Sequence, residues 1–182
     1  MKRKERKSPV AALCSTLGTV LLILLVAACL PLTLPRVLGY EIYTVVSGSM
    51  EPAIPTGSLV YIEGAQPEEI EEGDVIAFYG ARDSAAVITH RVVENNALMG
   101  QFTTKGDANE KADVNPVSYE EFIGKLAVSV PYLGKLAQIF TSTEGKIGAA
   151  ALILAALLLH GIGGAAESLQ RRKNKKNKED KE

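Results

Sequence analysis

The feature that most constrains this chain is an uncharged segment of 25 residues, residues 10–34, near its N-terminal end. An α-helix rises about 1.5 Å per residue, so a segment of this length can cross a hydrocarbon core of about 30 Å with some tilt. A second uncharged segment of 20 residues, residues 147–166, is richer in Gly and Ala. The two segments predict transmembrane helices over residues 10–34 and 146–166, with residues 35–145 forming a domain between them.

Basic residues flank both predicted spans and predict their orientation. Residues 1–9 hold five Lys or Arg residues, and residues 167–182 hold seven. Because Lys and Arg mark the cytoplasmic side of a span, both termini are predicted to be cytoplasmic. Residues 35–145 are then extracytoplasmic, and the protein is predicted to be a two-span protein of the cell membrane.

The charge balance of the segment between the two basic ends bears on its partners. It contains eight basic and 16 acidic residues, a net charge of −8. This balance argues against nucleic acid as a partner. The basic ends instead predict contact with the anionic lipid of the bilayer.

Two other interpretations of the first apolar segment fit less well. A cleaved secretory signal also has a basic start and an apolar run, but such runs are shorter. A lipoprotein signal would use Val26-Ala27-Ala28-Cys29, but the apolar run continues beyond this cysteine. Cys14 and Cys29, the only cysteines, would lie roughly 22 Å apart along one helix, so neither a disulfide nor a metal site is predicted from them.

Residues 35–140 change to short apolar runs separated by Gly, Pro, Asn and Asp, a pattern typical of an all-β domain. The predicted strands cover residues 40–46, 58–62, 74–79, 86–94, 99–105 and 122–130. Asn95-Asn96 is predicted to form a hairpin turn, because Asn tolerates positive φ. Residues 66–73 are predicted as a short acidic turn or helical piece, and residues 130–140 as a segment along the membrane surface. The predicted fold is mainly β, a small all-β domain, a barrel or a sandwich, flanked by two transmembrane helices.

The first candidate site is the string Ser47-Gly48-Ser49-Met50-Glu51-Pro52, where a predicted strand runs into a turn. A serine hydroxyl becomes a nucleophile when a base takes its proton, and the resulting oxyanion needs nearby donors. Ser47 and Ser49 could divide these tasks. A plain turn is the alternative interpretation of this string.

His90 is the one histidine between the two predicted spans, so it is the one candidate imidazole base there. Imidazole changes its protonation state near neutral pH, which suits a general base. The alternation of a strand puts His90 on the face of Ile88 and Val92, opposite Thr89 and Arg91. A half-buried strand residue without a catalytic role is the alternative.

The loop of residues 104–113 offers two carboxylates, Asp107 and Asp113, and either could orient an imidazole. A solvated turn or a cation loop are the alternatives. The regular spacing of calcium ligands and a terminal bidentate Glu are missing, which argues against calcium. No metal or other cofactor is predicted.

Four strings together resemble the sequence boxes of type I signal peptidases, in order and in spacing. They are Ser47 to Pro52, Gly73-Asp74-Val75-Ile76, His90-Arg91-Val92 and Lys105-Gly106-Asp107-Ala108-Asn109. The order Ser, His, Asp is similar to that of the endoplasmic-reticulum and archaeal branch, which includes SipW-like enzymes. The common bacterial branch has lysine at the position of His90, so a Ser-Lys dyad is not expected and Lys105 is an unsuitable base.

The resemblance implies a role for each matching residue. Ser49 would be the nucleophile, His90 the general base and Asp113 the carboxylate of the triad, with Asp107 as its rival. Ser47 and the Ser49 N–H would form the oxyanion hole, and residues 35–145 would have the small coiled all-β catalytic fold of that family. The implied substrates are signal-peptide-bearing preproteins with small residues before the cleaved bond, and the lipid bilayer is the other implied partner. The sequence does not specify whether accessory subunits are required.

Two other functions are compatible with parts of the sequence. One is a membrane-anchored β domain that binds a partner without catalysis. The other is a self-cleaving enzyme of related fold, as in phage-type repressors, which is disfavoured because such proteins lack membrane spans and use lysine as the base. His160, in the second predicted span, is predicted to be a helix-contact or snorkelling residue without chemistry.

Overall fold

The structure is a computed structural model that describes residues 8–80 and 86–179. It divides into two compact units. The β unit comprises Pro31–Thr141, and the helical unit comprises the described residues up to Leu30 and from Ser142 onward. Parts of both basic ends, residues 1–7 and 180–182, lie outside the described residues.

The β unit contains one antiparallel sheet of seven strands, in the spatial order β1-β2-β7-β3-β4-β5-β6. The strands are β1 Glu41–Thr44, β2 Leu59–Glu63, β3 Val75–Tyr79, β4 Val87–Asn96, β5 Gln101–Lys105, β6 Val117–Ser118 and β7 Phe122–Val130. A short 3₁₀ helix, Pro67–Glu69, lies in the predicted acidic segment. The predicted fold class, a mainly β domain with two long apolar helices, is confirmed.

Six of the seven strands lie where the sequence predicts them, but the turn predicted at Asn95-Asn96 is wrong. Both residues are the last pairs of β4, opposite Phe102 and Gln101. The side-chain amide of Asn95 donates to the carbonyls of Pro67 and Ile70 at 2.9 and 2.8 Å. These bonds hold Asn95 in the strand, and the positive φ of 64° falls instead on Gly100.

The sheet is curled, and its register shifts indicate why. Shifts occur between Tyr61 and Ile62 of β2, between Ala77 and Phe78 of β3, and between Val92 and Glu94 of β4. An extra residue on one strand bends it and increases the local twist. The shifts are therefore points at which the sheet bends.

Strand β3 is buried on both faces because its alternate residues enter two different cores. Val75 and Ala77 join a first cluster, whose other buried members are Met50, Ile54, Val60 and Ile62. Ile76 and Phe78 join a second cluster, whose other buried members are Ile70, Val92, Phe102 and Val117. Ser49 directly precedes Met50, a member of the first cluster, so the packing of this core helps to hold the backbone of Ser49 in place.

The last turns of helix α1, Pro9–Val37, are attached to the sheet by a hydrogen bond. Pro35 lies inside the helix and has no N–H, so the carbonyl of Pro31 loses its helical partner. Tyr61 supplies one, because its hydroxyl donates to the Pro31 carbonyl at 3.0 Å. The helix thus continues three residues beyond the predicted end at residue 34.

Two further helices follow β7, namely α2 Leu133–Thr141 and α3 Thr143–Glu179. Both α1 and α3 are long and apolar enough to cross a membrane. Helix α3 extends beyond the predicted span and through the described part of the basic tail. In the helical unit a Cβ on Gly18 would lie 3.0 Å from the Ala156 carbonyl oxygen and 3.1 Å from the His160 ring, so Gly18 packs closely against both. His160 is therefore a helix-contact residue, and Cys14 and Cys29 form no disulfide with each other.

Candidate active site

The turn that carries Ser49 is held by its neighbours in the chain. The side chains of Met50 and Ile54 are almost fully buried in the first cluster. The Glu51 N–H donates to the Gly48 carbonyl at 3.0 Å, and the Glu51 carboxylate accepts the Thr56 hydroxyl at 2.9 Å. The buried side chain of Met50, directly after Ser49, therefore fixes the backbone of the turn, while Ser49 itself remains partly exposed.

Two hydroxyl groups lie side by side in this turn. Ser47 Oγ and Ser49 Oγ are 3.3 Å apart, within hydrogen-bonding distance. Ser47 is exposed and Ser49 is half-buried. A second hydroxyl this close to a nucleophile could donate to an oxyanion formed there.

A groove runs beside Ser49 between two extended segments. One wall is formed by residues 43–47, and the other by residues 87–89 of β4, with Ile54 and Val60 between them. On its far side β4 pairs with β3 along residues 87–91, whereas pairing with β5 begins only at Arg91. The lining of the groove combines apolar side chains with polar ones, which include Ser47 and Ser49.

His90 lies on β4 with only 8% of its surface exposed. Its Nδ1 is 2.6 Å from Asp113 Oδ2, a short charge-assisted hydrogen bond. The edge of Phe78 meets the imidazole at a centroid distance of 6.2 Å and an angle of 71°. The ring is thus oriented by a carboxylate at one nitrogen and by an aromatic side chain beside it.

Asp113 is itself held at two points by Thr104 of β5. The Asp113 N–H donates to the Thr104 carbonyl at 2.8 Å, and the Thr104 hydroxyl donates to Asp113 Oδ2 at 2.7 Å. Thr104 is fully buried, so its hydroxyl has no competing water. No role for Thr104 is predicted from the sequence. The signal for it lies in the alternation of β5, which puts Thr104 on the face of the buried Phe102.

Asp107 has a different partner. Its carboxylate binds the guanidinium of Arg91 through two hydrogen bonds, from Nε at 2.8 Å and from Nη2 at 2.6 Å. Arg91 also donates to the Gly73 carbonyl at 2.7 Å. Asp107 raises the pKa of Arg91 against the opposing effect of burial. Of the two predicted carboxylates, the structure therefore brings Asp113 to His90 and Asp107 to Arg91.

The loop after β5 also contacts the backbone of Ser49. The Ala108 N–H donates to the Ser49 carbonyl at 2.9 Å. Gly106 approaches the same carbonyl so closely that a Cβ there would lie 2.6 Å from the oxygen. Only glycine fits this approach, a constraint that is not evident from the sequence. One loop therefore contacts Ser49 near its start and His90 at its end.

The Ser49 hydroxyl and the His90 ring do not meet directly. No hydrogen bond joins them in the structure, where Ser49 Oγ faces Ser47 and His90 faces Asp113. The groove beside Ser49 and a second pocket beside His90 and Asp113 are separate, and Ile88 lines both. Across residues 8–80 and 86–179, no three His, Cys, Asp or Glu side chains come together as a metal site.

The fold and this side-chain set define a curled β domain with a serine, a carboxylate-bound histidine and two long apolar helices. Residues 16–101 match the family described as Signal peptidase, peptidase S26. Over 91 residues the chain is 44% identical to Signal peptidase I W of Bacillus subtilis (strain 168), covering 47% of this chain and 46% of that protein. Over 106 residues it is 32% identical to Signal peptidase complex catalytic subunit SEC11C of Homo sapiens, covering 51% of this chain and 53% of that protein.

These matches show that the chain is similar to signal peptidases, including members of the endoplasmic-reticulum and archaeal-type branch, and they confirm the resemblance seen in the sequence. The chain spans about half the length of the curated relatives it matches. The family match includes Ser47, Ser49 and His90 and ends before Asp107 and Asp113. The catalytic roles of these residues stay predictions.

Proposed function

We propose that this chain is a membrane-anchored serine endopeptidase that removes N-terminal signal peptides from exported preproteins. The observation that carries the proposal is the 2.6 Å hydrogen bond between His90 Nδ1 and Asp113 Oδ2. With an ionised carboxylate as the partner, Nδ1 carries the proton and donates it. The lone pair of the imidazole is then on Nε2, where it can accept a proton.

In the first half of the reaction, Ser49 Oγ attacks the carbonyl carbon of the scissile peptide bond. His90 Nε2 accepts the hydroxyl proton, and Asp113 stabilises the imidazolium that forms. The Ser49 N–H and the Ser47 hydroxyl donate to the oxyanion. Ser47 is suited to this role because its Oγ lies 3.3 Å from Ser49 Oγ.

In the second half, the tetrahedral intermediate breaks its carbon–nitrogen bond. His90 gives its proton to the leaving amine, which becomes the new N-terminus of the exported protein. The signal peptide stays esterified to Ser49. Water, deprotonated by His90, then attacks the ester and restores the Ser49 hydroxyl.

The resting arrangement requires one change before this chemistry. Ser49 Oγ faces Ser47, so rotation about the Ser49 side chain or a small shift of its turn must bring Oγ to His90. Catalytic hydrogen bonds are often long without substrate and tighten when substrate binds. The buried histidine is fixed by Asp113, so the more exposed serine is the partner that moves.

The groove beside Ser49 supports an extended peptide as substrate. Residues 87–89 of β4 have no partner strand from β5, so a peptide in the groove can add to the sheet through main-chain hydrogen bonds. Val45, Ile54 and Val87 line the apolar walls. We expect these apolar side chains to accept the small residues that the family resemblance implies before the cleaved bond.

Membrane anchoring by α1 and α3 supports action on preproteins that are themselves held in the bilayer. Ser49 follows the end of α1 at Val37 by 12 residues, which span at most about 43 Å when fully extended. The nucleophile is thus confined to a layer near the membrane. Tethering the enzyme and its substrate in one plane raises their effective concentration.

The test of this function uses the full chain in detergent with a labelled preprotein. We expect one cut after a short side chain, identified by the mass of the products. Ser49→Ala is expected to abolish the cut, and Ser168→Ala, in the tail of α3, is the matched control that keeps it. Undiminished processing by the Ser49→Ala protein would exclude Ser49 as the nucleophile.

An acylating probe separates catalysis from the alternative of a non-catalytic binding domain. Labelling of Ser49 that is lost in the His90→Ala variant is expected of the enzyme. A binding domain that retains the fold would give no labelling in either protein.

A further inference from the structure

The first part of β4, residues 87–89, has a strand partner on one side only. Strand β3 pairs with it there, and β5 joins β4 on the other side only from Arg91 onward. A substrate peptide that adds to this edge extends the sheet by one strand. Its side chains then point alternately to the two faces of the sheet.

The two faces of this edge belong to different cores. Val87 packs against the first cluster, and Ile88 packs against the second. Alternation along β4 puts Thr89 on the face of Val87 and His90 on the face of Ile88. The groove beside Ser49 is lined by members of the first cluster, so it lies on the face of Val87 and Thr89.

A second pocket lies beside the same edge, on the face of the second cluster. It is lined by His90 and Ile88 together with Phe78 and Val117, two buried members of that cluster. Its volume is about 210 Å³, against about 90 Å³ for the groove beside the two serines. The second pocket therefore has room for a larger side chain than the groove has.

The entrance of this pocket has an apolar side chain without cover. Val114 is 95% exposed, although it directly follows Asp113, the carboxylate that binds His90. A ligand side chain that enters the pocket would contact Val114 and remove apolar surface from water. Asp113 also lines the pocket, so its carboxylate would repel an acidic ligand side chain.

The chemistry determines which substrate residue meets this pocket. Residues opposite each other on neighbouring strands point to the same face. The scissile bond must lie near His90, the proposed base, so the residue before the bond lies opposite Thr89. The second residue before the bond then lies opposite Ile88, and the third lies opposite Val87. The first and third side chains point into the groove, and the second points to the pocket beside His90.

We infer that the pocket beside His90 binds the side chain of the second residue before the cleaved bond and selects an uncharged apolar side chain there. The inference rests on the proposed function, because it requires a peptide bound for cleavage at Ser49. It goes beyond that function by assigning a preference to a residue that lies between the two small ones.

The test uses the full chain in detergent with peptide substrates that keep alanine at the first and third residues before the bond. The second residue is alanine, leucine or glutamate. We expect kcat/KM to be about tenfold higher with leucine than with alanine, the lower end of what added carbons contribute in an apolar pocket. The glutamate substrate is expected to be the slowest of the three.

Val114→Lys changes the charge at the entrance of the pocket and leaves its buried lining in place. The ratio of kcat/KM for the glutamate substrate to that for the leucine substrate is expected to rise about fivefold, the upper range for an exposed ion pair. A uniform loss of activity caused by a lysine beside Asp113 cancels in this ratio. Leu98→Lys, at a fully exposed leucine of the β4–β5 turn, is the matched control and is expected to keep the wild-type ratio.

The outcomes separate the inference from the proposed function. Equal kcat/KM for the three substrates would overturn the inference and leave the proposed function in place. An unchanged ratio in Val114→Lys would mean that another surface binds the second residue. No cut in any peptide or in the labelled preprotein would overturn the proposed function and the inference with it.

A second set of peptides tests the register on β4. The residue after the bond points to the same face as the second residue before it. Leucine and glutamate are therefore also compared directly after the bond, with alanine at the three residues before it. A response to Val114→Lys at this position, without one at the second residue before the bond, would overturn the assigned register.

Discussion

The hydroxyl of Thr104 donates a 2.7 Å hydrogen bond to Asp113 Oδ2, the same oxygen that lies 2.6 Å from His90 Nδ1. Asp113 Oδ2 therefore binds both the buried Thr104 and His90, the proposed general base. A second hydrogen bond to this oxygen limits rotation of the carboxylate. Thr104 is then a positioning residue, which acts on His90 through Asp113.

We predict that Thr104→Val lowers kcat roughly tenfold, which corresponds to about 1.4 kcal/mol in the barrier, and leaves KM nearly unchanged. Asp113 keeps contact with His90 and with solvent, so no buried polar group is left without a partner. Steady-state kinetics on a fluorogenic signal-peptide substrate measure the effect. Thr104→Ser restores the hydroxyl and is expected to recover most of kcat, whereas a valine variant with unchanged kcat would remove the positioning role.

The two carboxylates of the loop are predicted to respond differently to the same substitution. Asp113→Asn removes the charge that stabilises the imidazolium and is expected to lower kcat by about 10³ to 10⁴ with a small change in thermal stability. Asp107→Asn breaks the two-bond contact with Arg91, so its main effect is expected on stability, at about 1 to 2 kcal/mol. The measurements are kcat and the melting temperature of both variants in the same detergent.

Similar losses of kcat in both variants, without a difference in melting temperature, would contradict this division of roles. Wild type and Glu110→Gln are the controls. Glu110 is an exposed carboxylate of the same loop, and it forms no ion pair within the part of the chain that the structure describes.

The sequence predicts most of the fold because its signals are local. Strands such as β3 and β4 are runs of β-branched and aromatic residues between turn residues, and pattern alone finds them. Strand β6 has two residues, Val117 and Ser118, too few to form a pattern. Asn95 has the chemistry of a turn residue, and only its contacts with the distant Pro67 and Ile70 keep it in a strand.

The sequence predicts which residue types form the site. It does not predict which carboxylate binds His90 and which binds Arg91. Asp107 and Asp113 follow the same strand in the same loop, and nothing local distinguishes them. Their partners are neighbours on β4, where alternation points His90 and Arg91 to opposite faces. The loop carries one carboxylate to each of these residues, and this assignment depends on how the loop folds over β5, which is a tertiary property.

The proposed general base predicts an acidic limit of activity. A protonated imidazole cannot accept the Ser49 proton, so kcat/KM is expected to fall as the pH decreases and the ring takes up a proton. The measurement is the rate of preprotein processing from pH 5 to 8, with a fold check by circular dichroism at each pH. A flat profile down to pH 5 would argue against His90 as the base.

The ion pair between Asp74 and Lys125 predicts how stability depends on pH. Lys125 Nζ lies 2.8 Å from Asp74 Oδ1, and the Glu71 N–H donates to Asp74 Oδ2 at 3.0 Å. Burial raises the pKa of Asp74, but these two contacts outweigh it and hold the pKa below the ordinary value of 3.8. Because the folded value lies below the unfolded one, the stabilisation is present above about pH 4 and is lost as the pH falls through the folded pKa.

We therefore predict that Asp74→Asn destabilises the β unit by about 1 kcal/mol at pH 7, a modest value because the lysine is partly exposed to solvent. The difference between wild type and variant is expected to shrink as the pH decreases below 4 and Asp74 takes up a proton. Thermal unfolding in detergent at pH 7, 4 and 2 measures it, with Glu72→Gln as a control at a neighbouring exposed carboxylate. A difference that stays constant down to pH 2 would mean that the variant acts through packing, because protonation of Asp74 removes the ionic contribution and leaves a packing effect unchanged.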